Sequence, residues 1–192
     1  MAKLTVRRRA ALAVAAGIVG TLPGTVDAAA QSAVASTAVY DCRYDAVSVS
    51  DAAGSVVPAA RKTGVPLHAH LRVHNAEAVA LTKATYVFAI GNLTSNRGPA
   101  PVVQWRIGSG HWHKMGLHWN NRTNGSLPLW NSDTLSLGTI PARGTVTTEI
   151  SVTFPKRSVK AVYYDFLDIH SGICGHTRLD WYQGNGFEYW PW

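Results

Sequence analysis

From Leu67 to His74 apolar and polar residues alternate without a slip. Leu67, Ala69, Leu71 and Val73 fall on one side, and His68, His70, Arg72 and His74 on the other. The same period of two runs from Thr145 to Phe154. There Val146, Thr148, Ile150, Val152 and Phe154 oppose Thr147, Glu149, Ser151 and Thr153 before Pro155 stops the ladder. This period marks a strand with one buried face; a helix would place its apolar residues three and four apart. Val103, Trp105 and Ile107 alternate in the same way, and Gly108-Ser109-Gly110 turns the chain back into His111–Met115 as a hairpin. Thr85 to Leu93 is apolar on both faces, as a central strand is. Tyr44 to Ser50, Asp133 to Leu137, Val159 to Ile169 and His176 to Tyr182 supply further strands, while Ala52–Gly64 and the polar Asn120–Ser126 read as loops. Half-buried strands of this number, about eight, need a second sheet to cover them, so the pattern predicts an all-β sandwich, with a small barrel as the alternative.

With 46% hydrophobic and 15% charged residues the chain has the material for a core and is not a disordered segment. The formal charge of +7 is partly the work of Lys3, Arg7, Arg8 and Arg9. What remains downstream is scattered, which argues against nucleic acid as a partner. Those early cations precede the weakly apolar run Ala10–Leu22, then Pro23-Gly24 and small residues, the order of a secretory signal peptide. Cleavage is expected after Ala28 or Ala30, with a twin-arginine signal as the other export reading of Arg7-Arg8-Arg9. The run is shorter than the roughly 20 residues that span a bilayer, so no membrane span is expected in the mature chain. The expected organisation is a leader over 1–30, a flexible lead-in over 31–41 and one β-sandwich domain over 42–192. Cys42 and Cys174 are the two cysteines of an exported chain and are expected to form a disulfide. His170 and His176 flank Cys174, which leaves a nucleophilic thiol as the competing reading.

Three segments carry a family resemblance. Gly138-Thr139-Ile140-Pro141-Ala142-Arg143-Gly144-Thr145, running into the strand that ends at Phe154-Pro155, resembles the late part of bacterial immunoglobulin-like domains. In those a Leu/Ile-Pro-x-x-Gly turn precedes a Thr/Val-rich strand. Val73-His74-Asn75 is similar to the end of their early strand, and His111-Trp112-His113-Lys114-Met115 to their Gly-x-Trp strand. Over Leu67 to Asp168 the resemblance implies an immunoglobulin-like sandwich of the kind found in small secreted proteins of high-G+C Gram-positive bacteria. It offers no template for Trp181–Trp192.

Chemistry is sparse. His68, His70 and His74 share one face and His111 and His113 another. If their strands were adjacent they would gather imidazoles as zinc or copper sites do. Arg72 interrupts the set and no carboxylate or thiolate joins the pattern, so no metal or cofactor is expected. Asp165 with Asp168, or Asp180 with Glu188, are the candidate carboxylate pairs for glycoside hydrolysis, but period two puts the first pair on opposite faces. No Gly-x-Ser-x-Gly frame occurs for a serine nucleophile. Of seven tryptophans, Trp112, Trp119, Trp181, Trp190 and Trp192 lie in polar, short or terminal segments. They are the candidate ligand-binding residues, because exposed rings on a sandwich stack on sugars; the competing reading is that they cover a small core. The expectation is a secreted, non-catalytic binding or surface-interaction module meeting a protein or glycan at the cell surface. A carbohydrate-binding module for a cell-wall or plant polysaccharide and a small secreted hydrolase are the alternatives.

Overall fold

A computed structural model describes residues 42–52, 58–92, 94, 96–121, 128–175, 178–184 and 186–191, all within one unit, Thr37–Trp192. The leader, the lead-in, the loop 122–127, His176 and Trp192 lie outside these residues. In chain order the strands are β1 (Val47–Asp51), β2 (Ala59–Ala60), β3 (Pro66–Asn75), β4 (Leu81–Asn92), β5 (Val102–Ile107), β6 (His113–Lys114) and β7 (Leu117–Asn120). They continue with β8 (Leu129–Ser132), β9 (Leu135–Ile140), β10 (Thr145–Thr153), β11 (Ala161–Ser171), β12 (Arg178–Gln183) and β13 (Phe187–Tyr189). A single 3-10 turn, Gly172–Cys174, separates β11 from β12. One sheet runs β1-β3-β10-β5-β6; the other runs β2-β13-β11-β4-β8-β7, with β12 also on β11 and β9 also on β4. The fold is an immunoglobulin-like β-sandwich, and eight of its described strands have five residues or more.

Along β3 the alternation read from the sequence is the alternation of burial; in the middle of β10 the outward Glu149 and Ser151 are buried as well. Leu71, Val73, Ile150 and Val152 point inward from the first sheet, and Tyr86, Phe88, Ile90, Leu167 and Ile169 from the second; all are essentially inaccessible. Each such side chain contributes about 1.5–3 kcal/mol by leaving water. The expected hairpin forms, with Gln104 opposite Lys114 and Trp105 opposite His113. Its turn is closed by Gly110 N–H donating to Ile107 O at 2.9 Å.

Two of the resemblance-bearing segments meet at one end of the sandwich. The buried Asn75 side chain donates to Val79 O at 2.8 Å and Pro141 O at 2.9 Å, and accepts from Glu77 N at 2.9 Å. Asn75 N–H in turn donates to Gly144 O, and Arg143 N–H to Glu77 O. A Cβ at Gly144 would lie 2.7 Å from the Pro141 ring, which is why glycine closes this turn. One amide thus satisfies the carbonyls of two turns that join different sheets.

The disulfide joins Cys42 to Cys174 with a Cα separation of 5.3 Å, linking the segment that enters the first sheet to the turn that leaves β11 in the second. The thiol at Cys174 is therefore consumed, and a nucleophilic cysteine has no place here.

Three expectations need correcting. Ala52–Gly64 is not all loop: Ala59–Ala60 pairs in parallel with Glu188 and Tyr189. Leu117–Asn120 and Leu129–Ser132 form an unanticipated hairpin flanking the polar loop, with Trp119 opposite Trp130. Phe187–Tyr189, where the sequence reading placed no strand, is a strand on β11.

Candidate functional site

The outward positions of the first sheet form a flat polar surface. Register places Thr145 opposite His74, Thr147 opposite Arg72, Glu149 opposite His70 and Ser151 opposite His68. On the other flank of β10, Arg106 stands opposite Glu149 and Gln104 opposite Ser151. Glu149 is therefore the centre of a cluster drawn from three strands. Arg106 donates to Glu149 Oε2 from Nε at 2.7 Å and from a terminal nitrogen at 2.5 Å. His68 Nδ1 lies 2.9 Å and His70 Nε2 3.7 Å from Oε1. Desolvation works to raise the Glu149 carboxyl. The hydrogen bond from Arg106, the charge of His70 and the hydrogen bond with His68 outweigh it and hold the group below its ordinary value.

Trp112 caps this cluster. Its ring carries the Arg106 guanidinium 4.6 Å from the centroid and meets the His68 ring edge-on at 5.7 Å. The expectation that no carboxylate joins the histidines is thus overturned: Glu149 joins them across the strands. The histidine sets also do not merge, because β10 and β5 separate β3 from β6; His113 instead packs on Trp105 at 5.3 Å. Among the described residues no group of three or more His, Cys, Asp or Glu is placed to hold a metal ion.

The candidate tryptophans do not converge. Trp112 stands beside β6 on the edge of the first sheet. Trp119 lies on β7, at an edge of the second, packed 5.1 Å from Trp130. Arg97 covers that pair, 5.9 Å from the Trp119 centroid and 5.2 Å from that of Trp130. Trp190 follows β13 toward the other edge and is 40% exposed. Trp181 occupies a β12 position opposite Asp168, and Trp192 lies outside the described residues. Each of Trp112 and Trp119 thus has a face taken by a guanidinium, where a stacked sugar would sit. Trp130, buried at 7% exposure, escaped notice in the sequence because its four-residue strand carries too short a pattern to read.

The candidate carboxylates are dispersed as well. Asp168 points outward and pairs with Arg178 at 2.8 Å and His170 at 3.2 Å. Asp180 accepts from Val49 N–H at 3.2 Å, between the sheets, whereas Glu188 sits opposite Val162 on β11. Asp165 is 3% exposed and faces the core opposite Ile90. It accepts from Gly186 N–H at 3.1 Å, and a side chain at Gly184 would collide with its carboxyl. Burial pushes its pKa up to about 6, opposed by backbone hydrogen bonds from Asp165 itself and Gly186 and reinforced by the charge of Asp51. Asp51 accepts from Tyr182 Oη at 2.9 Å.

A carboxyl whose folded pKa is raised contributes stability that is full below its ordinary value of 3.8 and is lost as pH rises past about 6. The size is about 3 kcal/mol. Asp165→Asn should therefore raise the melting temperature at pH 8 and flatten the stability gain that the wild type shows between pH 7 and 5. Identical melting curves for the two proteins at both pH values would contradict this.

No protein-family model matches the chain. No curated protein matches it either. Among solved structures, AvmM, which catalyzes macrocyclization in alchivemycin A biosynthesis, aligns over 76% of this chain and 89% of its own with 11% identity and a TM-score of 0.55. That likeness is one of fold alone. A family IIIA CBD from Clostridium cellulolyticum aligns over 78% of this chain and 99% of its own at 11% identity and a TM-score of 0.40. The partial N-terminal region of enterococcal surface protein aligns over 74% of this chain and 42% of its own at 10% identity and a TM-score of 0.41. Among the described residues no helix is long and apolar enough to cross a membrane.

Proposed function

We propose that this protein is a secreted, non-catalytic binding module that meets a cell-surface partner, a glycan, through the outer face of its five-stranded sheet. The observation that carries the reading is the Glu149 cluster. His68, His70, Arg106 and Trp112 are held around one carboxylate on rigid strands, so the face presents fixed polar groups at little entropic cost. Export is supported by the leader pattern and by the closed disulfide. The groups that would do chemistry point elsewhere: Asp165 lies in the core and Cys174 is bonded.

Retention on insoluble cell-wall and plant polysaccharides tests this. The mature protein should be retained, Arg72→Glu should weaken retention by about tenfold or more, and Trp190→Ala should leave it unchanged. Retention kept in Arg72→Glu and lost in Trp190→Ala would move the site to the C-terminal aromatics. Turnover of ester or glycoside substrates would overturn the non-catalytic reading.

A further inference from the structure

We infer that the ligand of this face is a linear polyanionic polysaccharide, one bearing uronate carboxylates, held along the β3 row of His68, His70, Arg72 and His74 and gripped more tightly at mildly acidic pH. The inference rests on the proposed binding role and adds the chemistry of the partner.

The charge on the face is lopsided. Its outward cations and imidazoles are His68, His70, Arg72 and His74 on β3, Arg106 on β5 and Lys114 on β6. Against them, Glu149 on β10 is the one carboxylate at an outward position of this sheet's described strands, and β1 contributes only Ser48 and Ser50. Glu149 is engaged by Arg106, His68 and His70, which leaves the fixed charges of Arg72 and Lys114 facing outward without a carboxylate partner among the described residues. Alternate residues of a strand repeat at about 6.7 Å, so the β3 row spans about 20 Å in a straight line. A row of evenly spaced basic groups complements a chain of evenly spaced negative ones.

The other chemistry of the face narrows the partner further. Ser48, Ser50, Thr145 and Thr147 place exposed hydroxyls beside the row, suited to the hydroxyls of a sugar chain. Protein partners are anchored by buried aromatic and aliphatic side chains; the aromatic over the centre of this face, Trp112, already packs on Arg106 and His68, and Val102 is an exposed apolar residue at one end. Single-stranded nucleic acid stacks its bases on open aromatic rings, and Trp112 is already covered by Arg106 and His68. Imidazole is the side chain that gains charge as pH falls from about 8 to 5. His68, His70 and His74 place three imidazoles on the row, beside Glu149, which is held below its ordinary value.

The test uses immobilised polygalacturonate and its fully methyl-esterified form, with the mature disulfide-bonded protein, at pH 7.5 and 5.5. Binding to polygalacturonate should strengthen about tenfold at the lower pH, the size of one or two added surface charge contacts. It should weaken with salt and fall about tenfold in Arg72→Gln and in Lys114→Gln, whose exposed side chains can be changed without disturbing the melting temperature. Equal binding to the esterified polymer would overturn the anionic ligand while leaving a binding module in place. Retention on neutral polysaccharides alone would do the same. Retention on no polysaccharide would overturn both readings. Tighter binding to single-stranded DNA than to polygalacturonate would overturn the assignment to a glycan.

Discussion

Removing residues 184–192 should leave the domain unfolded at temperatures where the full chain is native. Phe187 and Tyr189 are 0% and 1% exposed. The Tyr189 ring packs 4.8 Å from Phe154, which itself packs 4.5 Å from Tyr163. The Tyr189 hydroxyl and Thr63 Oγ1 are hydrogen-bonded at 2.9 Å. β13 also supplies the backbone partners of β2, with Glu188 N–H donating to Pro58 O at 2.8 Å and Trp190 N–H to Ala60 O at 3.0 Å. Each large aromatic lost from a packed site costs about 3–5 kcal/mol, against a total stability of about 5–15 kcal/mol for a domain. Thermal and urea melts of the truncated chain measure the loss. A truncation that melts like the full chain would show that these rings support nothing. Trp190, the most exposed of the tail's described rings, is expected to be dispensable for stability.

Opening the disulfide is the second large effect. With a sequence separation of 132 between Cys42 and Cys174, the chain-entropy estimate gives about 4–5 kcal/mol of lost stability. The cysteines are themselves 6% and 3% exposed within the core, so Cys42→Ser with Cys174→Ser adds a buried polar group to each side. Denaturant unfolding of the reduced wild type and of the double variant separates these two costs. The reduced protein should lose the loop-closure contribution and the variant somewhat more. A reduced protein with an unchanged midpoint would contradict this assignment of the bridge as a staple between the two sheets.

Long strands were legible and short ones were not. β3 and β10 carry ten and nine residues of alternation, enough to identify both the strand and its buried face. β2, with two residues, and β13, with three, cannot display a period at all; β13 exists because it pairs with β11, and β2 because it pairs with β13. The β7–β8 hairpin was hidden by the polar composition around Asn120, although Trp119 and Trp130 meet across it. The site was legible by face but not by neighbourhood. Alternation assigns His68, His70 and Glu149 to outward positions, yet only the register of β10 on β3 brings Glu149 against the imidazoles. The neighbourhood that a histidine cluster required is also absent: β5 and β6 are neighbours, but β3 and β6 are held apart by two strands. The tryptophans, conspicuous by type, turned out to be spread over separate edges because composition carries no information about topology.

The central claim is that recognition belongs to the outer face of the five-stranded sheet. Backbone amide chemical shifts of the labelled mature protein, followed during titration with oligogalacturonate at pH 5.5, test it most directly. The largest changes should map to β3, β10 and β5 around His70, Arg72, Thr147 and Arg106. Changes clustered instead around Trp119 and Trp130, or around Trp190, would contradict it.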